Sequence, residues 1–289
     1  MADTVTRVWP FRDAIRLSCF GLMRISTRRL ERILNATGWR LGASAQRLLN
    51  LAQHLQQRRQ KKRNAANPNA LLVWIPKTAG TSLNTLLTNA GGQTFLSIQD
   101  ARRYFRNRGI VTFGHISIPH LREAGIVTDE FYNSALKFAF VRNPFDRTVS
   151  LFEYSRLIGK IPPSMGFPTF CQMLKDHAYE DIGDYNHLGL SQLNPQVRWL
   201  IGAKGGLCVD FVGRFENFAD DIQIVMRRLN LSVASGAIPH ANRSQRMATE
   251  SYYCDAQIDA VQHAYRCDFE AFGYSLIPRW ELQRARPAA

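Results

Sequence analysis

The sequence feature that most constrains the fold is a short stretch, residues 71–87, with the pattern of a strand, a loop of small residues and a helix. Leu71 to Ile75 is a continuous apolar run, typical of a strand that is buried on both faces. Pro76 ends this strand because proline cannot donate to a β-ladder. The leucines that follow recur at helical spacing: Leu83, Leu86 and Leu87. The stretch therefore predicts a β–loop–α unit.

The loop of this unit carries residue types that bind phosphate. Its backbone and the first helical turn present N–H groups, and the helix dipole adds partial positive charge at the same point. The lysine supplies a full charge, the hydroxyls supply donors, and Gly80 is expected to let the backbone approach an anion closely. The candidate anion-binding residues are Lys77, Thr78, Ala79, Gly80, Thr81 and Ser82.

The layout of this loop differs from the Walker A motif of P-loop ATPases. The motif GxxxxGK[ST] places its lysine directly after the last glycine, whereas Lys77 comes before Gly80 in this sequence. A nucleotide kinase or NTPase of the P-loop type is therefore the alternative and not the first interpretation.

A second strand–helix junction follows at residues 136–154. Leu136 to Val141 has the pattern of a buried strand, and Arg142 stands at its C-terminal end. Asn143-Pro144 begins a helix, since proline is favoured in the first turn. The planar fork of Arg142 can grip a phosphate, and Ser150 on the helix adds a hydroxyl. The sequence thus predicts a second anion site.

Two segments, IPKTAGTSL (75–83) and VRNPFDRTVSLFEY (141–154), closely resemble the two nucleotide-binding motifs of sulfotransferases, in the order and spacing of that family. The most similar branch is the carbohydrate-type enzymes related to heparan sulfate sulfotransferases, and the resemblance covers residues 70–275. It implies a donor, 3′-phosphoadenosine 5′-phosphosulfate (PAPS), and transfer of its sulfuryl group to an acceptor hydroxyl on a carbohydrate or glycolipid. It implies no metal.

The resemblance also implies roles for these residues. The loop of residues 77–82 would hold the 5′-phosphosulfate, with Lys77 offsetting charge on the leaving phosphate. Arg142 and Ser150 would hold the 3′-phosphate. Arg243 lies where the family has a late loop over the nucleotide, so it is a candidate contact to the 3′-phosphate or adenosine, or else an exposed loop arginine.

The candidate general base is His115. Residues 110–114, IVTFG, predict a strand that ends at this histidine, and open α/β sheets bind ligands at the carboxyl ends of their strands. The run FGHISIP resembles the family segment that carries the catalytic histidine, and imidazole suits proton abstraction. A structural histidine is the other interpretation, and His120 is the competing base.

The predicted fold class is α/β, a three-layer P-loop-like fold whose central, mainly parallel sheet is flanked by helices. We assign residues 1–69 to a basic helical N-terminal arm and linker, 70–278 to the sulfotransferase domain and 279–289 to a loose tail. Further strands are predicted at 94–98 and 207–215, and further helices at 99–108, from 194–199 onward, 218–229 and 255–266.

The basic charge of the chain belongs mostly to the arm. The formal net charge is +14, and residues 1–66 hold 14 Lys and Arg against three acidic residues, which gives +11. Such an arm favours anionic partners, here a membrane surface and not a specific nucleic acid. The other interpretation is an appendage that packs on the domain or between subunits.

Cysteine usage and hydropathy bear on the compartment. The five cysteines show no CxxC or zinc spacing, which favours reduced thiols, although a Cys254–Cys267 bridge is conceivable in an oxidising compartment. No run of 18 apolar residues occurs, and the early run Leu17 to Ile25 is too short and interrupted for a signal or anchor. We therefore expect a cytoplasmic enzyme, peripheral at the membrane if the arm binds there.

Two questions stay open from the sequence. A degenerate, non-catalytic nucleotide- and polyanion-binding module shares the same motifs, although Lys77, Arg142, Ser150 and His115 together favour an enzyme. The acceptor is also open, since a small alcohol, a lipid or a protein tyrosine fits the same chemistry as a carbohydrate hydroxyl.

Overall fold

The structure, a computed structural model, describes residues 68–180, 190–202, 205–231 and 247–284. These residues form a five-stranded sheet in which every pair is parallel, in the order β2-β3-β1-β4-β5. The strands are β1 (Ala70–Val73), β2 (Gln93–Phe95), β3 (Ile110–Phe113), β4 (Leu136–Val141) and β5 (Phe211–Arg214). The α/β class is confirmed, and β1 is the central strand.

Ten helices accompany the sheet in the described part of the chain. They are α1 (Gly80–Asn89), α2 (Ile98–Tyr104), α3 (Ile118–Glu123), α4 (Asp129–Ser134), α5 (Pro144–Leu157), α6 (Phe167–His177), α7 (Phe218–Arg228), α8 (Asp255–Ala264), α9 (Arg266–Phe272) and α10 (Arg279–Arg284). Single 3₁₀ turns occur at Gln196–Trp199, Phe215–Asn217 and Thr249–Tyr252.

The sheet is covered on both faces, which explains why its strands are continuously apolar. Successive residues of β1 belong to opposite faces. Leu72 packs with leucines of α1 and with Ile222 and Val225 of α7. Leu71 packs on the other side with Phe131 of α4 and with residues of α2 and α3. The three layers expected from the sequence are therefore present.

A separate core joins α5, α6, α8, α9 and α10. It is built from aromatic residues in edge-on or tilted contact, with Phe145 of α5 at 5.1 Å from Phe269 and 5.5 Å from Tyr253, measured between ring centroids. Because α5 begins directly after β4, this core anchors the helix that carries the second predicted anion site.

Three local expectations differ from the structure. Gln196–Trp199 form a single 3₁₀ turn, whereas the sequence predicted that an α-helix starts at 194–199. The strand expected at 207–215 is confined to β5. The tail expected from residue 279 instead forms α10, since Trp280 is 9% exposed and packs into the aromatic core.

The remaining expectations concern the N-terminal arm, Arg243, the cysteines and membrane-spanning segments. The arm of residues 1–66 and Arg243 lie outside the described ranges. Within those ranges, Cys171, Cys208, Cys254 and Cys267 are free thiols, so the Cys254–Cys267 bridge is not formed. Across the described ranges, every helix is too short or too polar to cross a bilayer.

Replacing Trp280 tests the docking of α10. The Trp280 ring lies 5.8 Å from Phe145 and 5.4 Å from Tyr253, so Trp280→Ala should lower the free energy of unfolding by about 3 kcal/mol. Leu282→Ala on the same helix is the matched control, because Leu282 is 44% exposed and its loss should cost no more than about 0.5 kcal/mol. Urea denaturation measures both, and equal losses would contradict the docking.

Candidate active site

The three predicted chemical groups follow three adjacent strands. In the sheet, Val73 of β1 lies opposite Phe113 of β3 on one side and Ala139 of β4 on the other. Lys77 follows β1, His115 follows β3 and Arg142 follows β4. Because parallel strands end at the same edge, this order brings the base, the lysine loop and the arginine to one rim of the sheet.

The loop between β1 and α1 has an unusual backbone. Lys77 and Ala79 adopt left-handed conformations, with φ of 67° and 70°, which cost about 1 kcal/mol or more for residues with a Cβ. Thr78 is buried, and its hydroxyl donates to the carbonyl of Ile75 at 3.0 Å. The Thr78 side chain therefore holds the loop together from inside, which leaves its backbone as the group available to an anion.

Gly80 packs against the indole ring of Trp74. Its φ is not among the positive values, and a Cβ built on it would lie 1.8 Å from Nε1 of Trp74. The Trp74 indole thus occupies the place of the missing side chain. Glycine is needed here because the ring packs against the first residue of α1, and the sequence alone suggested only close approach of an anion.

The amino end of α1 faces the same rim. Ala79 is the N-cap residue, no acidic residue occurs in the first turn, and Leu83 N donates to Ala79 O at 3.1 Å as the first helical bond. The N–H groups of the first turn, from Gly80 to Ser82, precede that bond and have no intrahelical acceptor. Among the hydroxyls, Thr81 is exposed and Ser82 is buried.

Helix α5 links the two predicted anion sites. The ammonium nitrogen of Lys77 lies 4.0 Å from the ring centroid of Tyr154, one helical turn beyond Ser150. Residues four apart share a helix face, so Ser150 belongs to the face that Lys77 contacts. The helix that begins beside Arg142 therefore also contacts the β1–α1 loop through Tyr154.

Arg142 is 9% exposed. Hydrogen bonds hold its backbone, and an aromatic ring contacts its guanidinium group. Its N–H donates to Oε1 of Gln196, and Nε2 of Gln196 donates back to its carbonyl, each at 2.8 Å. The guanidinium carbon lies 4.0 Å above the ring of Phe215, a cation–π contact. This support comes from the 3₁₀ turns Gln196–Trp199 and Phe215–Asn217, and neither contact is visible in the motif itself.

Gln196 in turn depends on Asp268, a fully buried carboxylate on α9. Asp268 accepts from the N–H groups of Gln196 and Val197, each at 2.8 Å, and from Nε2 of Gln196 at 3.2 Å. Burial raises the pKa of Asp268, and the nearby Arg147 charge and these hydrogen bonds oppose that rise. Sequence reasoning missed Gln196, Asp268 and Arg147, although a charged residue within an apolar segment is a detectable signal.

The tautomer of His115, the candidate base, follows from its hydrogen bond. Its Nδ1 lies 3.0 Å from the carbonyl oxygen of Trp74, which can only accept, so Nδ1 carries the proton in the neutral ring and Nε2 keeps its lone pair. The imidazole is flanked by Trp74, with ring centroids 5.0 Å apart, and by the buried Trp199 at 6.4 Å. The competing histidine, His120, is instead bonded through Nδ1 to Ser117 Oγ at 2.6 Å.

The protonation state of His115 follows from its surroundings. Burial lowers its pKa from 6.5 to about 4; the hydrogen bond to Trp74 opposes this change, and the Lys77 charge adds to it. The imidazole is therefore neutral at pH 7. In the described ranges, no group of three or more His, Cys, Asp or Glu side chains is arranged to hold a metal.

Exchanging glycine and alanine in the loop tests its packing. Gly80→Ala should lower the free energy of unfolding by about 1–3 kcal/mol, because the new methyl group displaces the Trp74 indole. Ala79→Gly is the matched control. It relieves the strain of the left-handed backbone but raises the conformational entropy of the unfolded chain, so the free energy of unfolding should change by no more than about 1 kcal/mol. A Gly80→Ala protein as stable as its parent would contradict the packing.

The His115 titration is a direct test of its environment. In the folded protein its imidazole should titrate near pH 4 instead of 6.5, and Lys77→Met should move the midpoint upward because a positive neighbour is lost. Between these two pH values the unfolded chain binds the proton and the folded chain does not, so stability should fall as pH falls through this window. NMR of the histidine ring protons measures the midpoint, and the spectrum of His115→Asn identifies the His115 signal. A midpoint at pH 6–7 would contradict the buried environment.

Comparison with known proteins provides the family. Solved structures that are similar to this chain include mouse sulfotransferase SULT7A1 complexed with PAP, at 14% identity, which covers 75% of this chain and 89% of that one with a TM-score of 0.48. They also include retinol dehydratase in complex with androsterone and inactive cofactor PAP, at 15% identity, with coverage of 58% of this chain and 39% of that one and a TM-score of 0.25. Comparison with curated proteins gives no significant match. Both TM-scores lie below 0.5, so the assignment depends on the sequence profile of the sulfotransferase family, which matches residues 65–275. A match over that much of the chain shows that this protein belongs to the sulfotransferase family.

Proposed function

We propose that this protein transfers the sulfuryl group of PAPS to a hydroxyl group of a carbohydrate or glycolipid. The observation that carries the proposal is the common rim of β3, β1 and β4, where His115, Lys77 and Arg142 follow adjacent parallel strands in a chain of this family. The carbohydrate acceptor is supported by the resemblance of both motifs to the heparan sulfate branch.

The residues at the rim fit a nucleotide phosphorylated at both ends. The loop from Lys77 to Ser82 offers one cation and the amino end of α1, with no acid in the first turn, and would hold the 5′ end of the donor. Arg142 and Ser150 offer a guanidinium and a hydroxyl for the 3′-phosphate. Lys77 contacts Tyr154 of α5, and Arg142 comes just before the first residue of this helix, which supports a single ligand that engages both groups.

The donor supplies an activated sulfuryl group whose leaving partner is a phosphate. His115 accepts the proton that the acceptor hydroxyl loses, through Nε2, while Nδ1 stays bonded to Trp74. Lys77 stabilises the negative charge that the leaving phosphate gains. A pKa of about 4 makes the free imidazole a weak base, but the negative charges of a bound donor favour the protonated ring and so strengthen the base when it is needed.

We propose in addition that the basic segment of residues 1–66 binds anionic membrane surfaces. Such binding would keep a cytoplasmic enzyme at the membrane. Its support is its charge of +11, from 14 basic and three acidic residues. Binding of the full chain to vesicles with anionic lipid, and its loss at 0.5 M salt, is the relevant measurement.

Three substitutions test the assigned roles. Lys77→Ala and Arg142→Ala should each lower turnover of labelled PAPS by about 10²-fold or more, since each removes the charge that faces one phosphate. His115→Asn should lower turnover by about 10²–10⁴-fold and leave PAP binding nearly unchanged. Arg156→Ala, an exposed arginine on α5, is the matched control and should keep parental activity.

Calorimetry separates this function from that of a kinase or NTPase. It compares the affinity for PAP with the affinity for ATP, the latter measured in the presence and in the absence of magnesium. A panel of polysaccharide and glycolipid acceptors with labelled PAPS gives the turnover. Near-parental turnover by both charge variants would defeat the site assignment, and preference for ATP over PAP would defeat the proposed donor.

A further inference from the structure

The most deeply buried cation in the described chain is not one of the residues that the motifs predict for the donor. Arg147, on the second turn of α5, is fully buried, and its guanidinium carbon lies 5.4 Å from the ring centroid of Tyr265. Charged side chains are almost never fully buried unless they have specific partners. The partners of Arg147 therefore indicate what it does.

The hydrogen-bond partners of Arg147 are backbone carbonyls on two separate segments. Its Nε donates to the oxygen of Pro76 at 3.2 Å. Its Nη2 donates to the oxygens of Gln192 at 2.8 Å and Asn194 at 3.2 Å. One planar side chain thus connects the β1–α1 loop with the segment that leads into the 3₁₀ turn beside Arg142.

The bond to Pro76 acts on the backbone of Lys77. The Pro76 oxygen belongs to the peptide unit that joins Pro76 to Lys77, and a hydrogen bond at that oxygen fixes the orientation of the unit. The rotation that follows this unit is the φ of Lys77, which is 67° and left-handed. A conformation of this kind persists only where its surroundings determine it, and Arg147 is the side chain that holds it from inside.

The remaining guanidinium nitrogen shows that this arrangement does not maximise stability. Nη1 of Arg147 is buried and has no hydrogen-bond partner among the described residues. A buried donor without an acceptor is unfavourable, and so is a buried cation. The acid whose charge it feels, Asp268, is already occupied by three N–H groups of Gln196 and Val197. The guanidinium instead joins the β1–α1 loop to the segment of Gln192 and Asn194 through hydrogen bonds of defined geometry.

We propose that Arg147 is a positioning residue of the donor site: from inside the fold it sets the loop conformation in which Lys77 and the amino end of α1 meet the 5′ end of the nucleotide. This inference depends on the proposed function. It assigns to Arg147 no contact with the substrate, since the side chain is fully buried.

Nucleotide fragments distinguish positioning from a general structural role. PAP carries both phosphates, 3′-AMP only the one assigned to Arg142 and Ser150, and 5′-AMP only the one assigned to the loop. If Arg147 positions the loop, its substitution should remove the advantage of PAP over 3′-AMP and leave 3′-AMP binding nearly unchanged. A residue needed only for folding would weaken all three ligands alike.

The experiment uses the full chain with Arg147→Lys and Arg147→Gln, calorimetry with the three nucleotides, and thermal unfolding. Lysine keeps the charge but loses the fork, and glutamine keeps one donor without a charge. We expect the ratio of PAP to 3′-AMP affinity to fall about tenfold or more, the effect of one charge-assisted hydrogen bond. The matched control is Tyr253→Phe, which removes a hydroxyl bond to Phe145 O elsewhere on α5 and should leave the ratio unchanged.

Each outcome has a definite meaning. Equal weakening of PAP and 3′-AMP in the Arg147 variants overturns the positioning role, and so does failure of both variants to fold, because the guanidinium would then be needed by the whole domain. A parent protein that binds PAP no better than 3′-AMP or 5′-AMP overturns the proposed function itself. That result is visible before any variant is made, so the two failures are distinguishable.

Discussion

The parallel pairing of β1 with β3 and β4 is the constraint on which the rest of the structure depends. It buries β1 on both faces and at both edges, and it sets the register in which Val73 lies opposite Phe113 and Ala139. Every chemical group of the candidate site follows one of these three strands. A slip of one residue in either pairing would turn the strand over and separate the base from the lysine loop.

Buried polar residues orient the backbone at two positions of the rim. Arg147 holds the loop before Lys77, Gln196 holds the backbone of Arg142, and Asp268 holds Gln196. Such a network is costly in a low dielectric unless its members are satisfied, and it then specifies one arrangement. These bonds orient the loop before Lys77 and the backbone of Arg142, and the aromatic core around Phe145 packs against α5.

Much of the fold and part of the site could be predicted from the sequence. Strand β4 and the start of α5 were predicted to the residue, because an apolar run followed by Asn-Pro is a purely local signal. The 3₁₀ turn after Pro195 was predicted as the start of a helix. The carboxylate that accepts its first two N–H groups, Asp268, lies some seventy residues later in the chain and was not predicted. The contact of Gly80 with the Trp74 ring was not predicted either, because the sequence suggested only close approach of an anion. The roles of Lys77, Arg142, Ser150 and His115 stay predictions.

The sequence by itself determined the two β–loop–α units, their residue types and the family, because turn chemistry and hydrophobic periodicity act over a few residues. Lys77, His115 and Arg142 each follow a different strand. Only the tertiary structure decided that these three strands are neighbours, since strand order depends on contacts between distant segments. The same holds for the low pKa of His115 and for Arg147, whose carbonyl partners lie 45 to 71 residues away. Burial and long-range hydrogen bonds have no local signature, and both are created only when the chain folds.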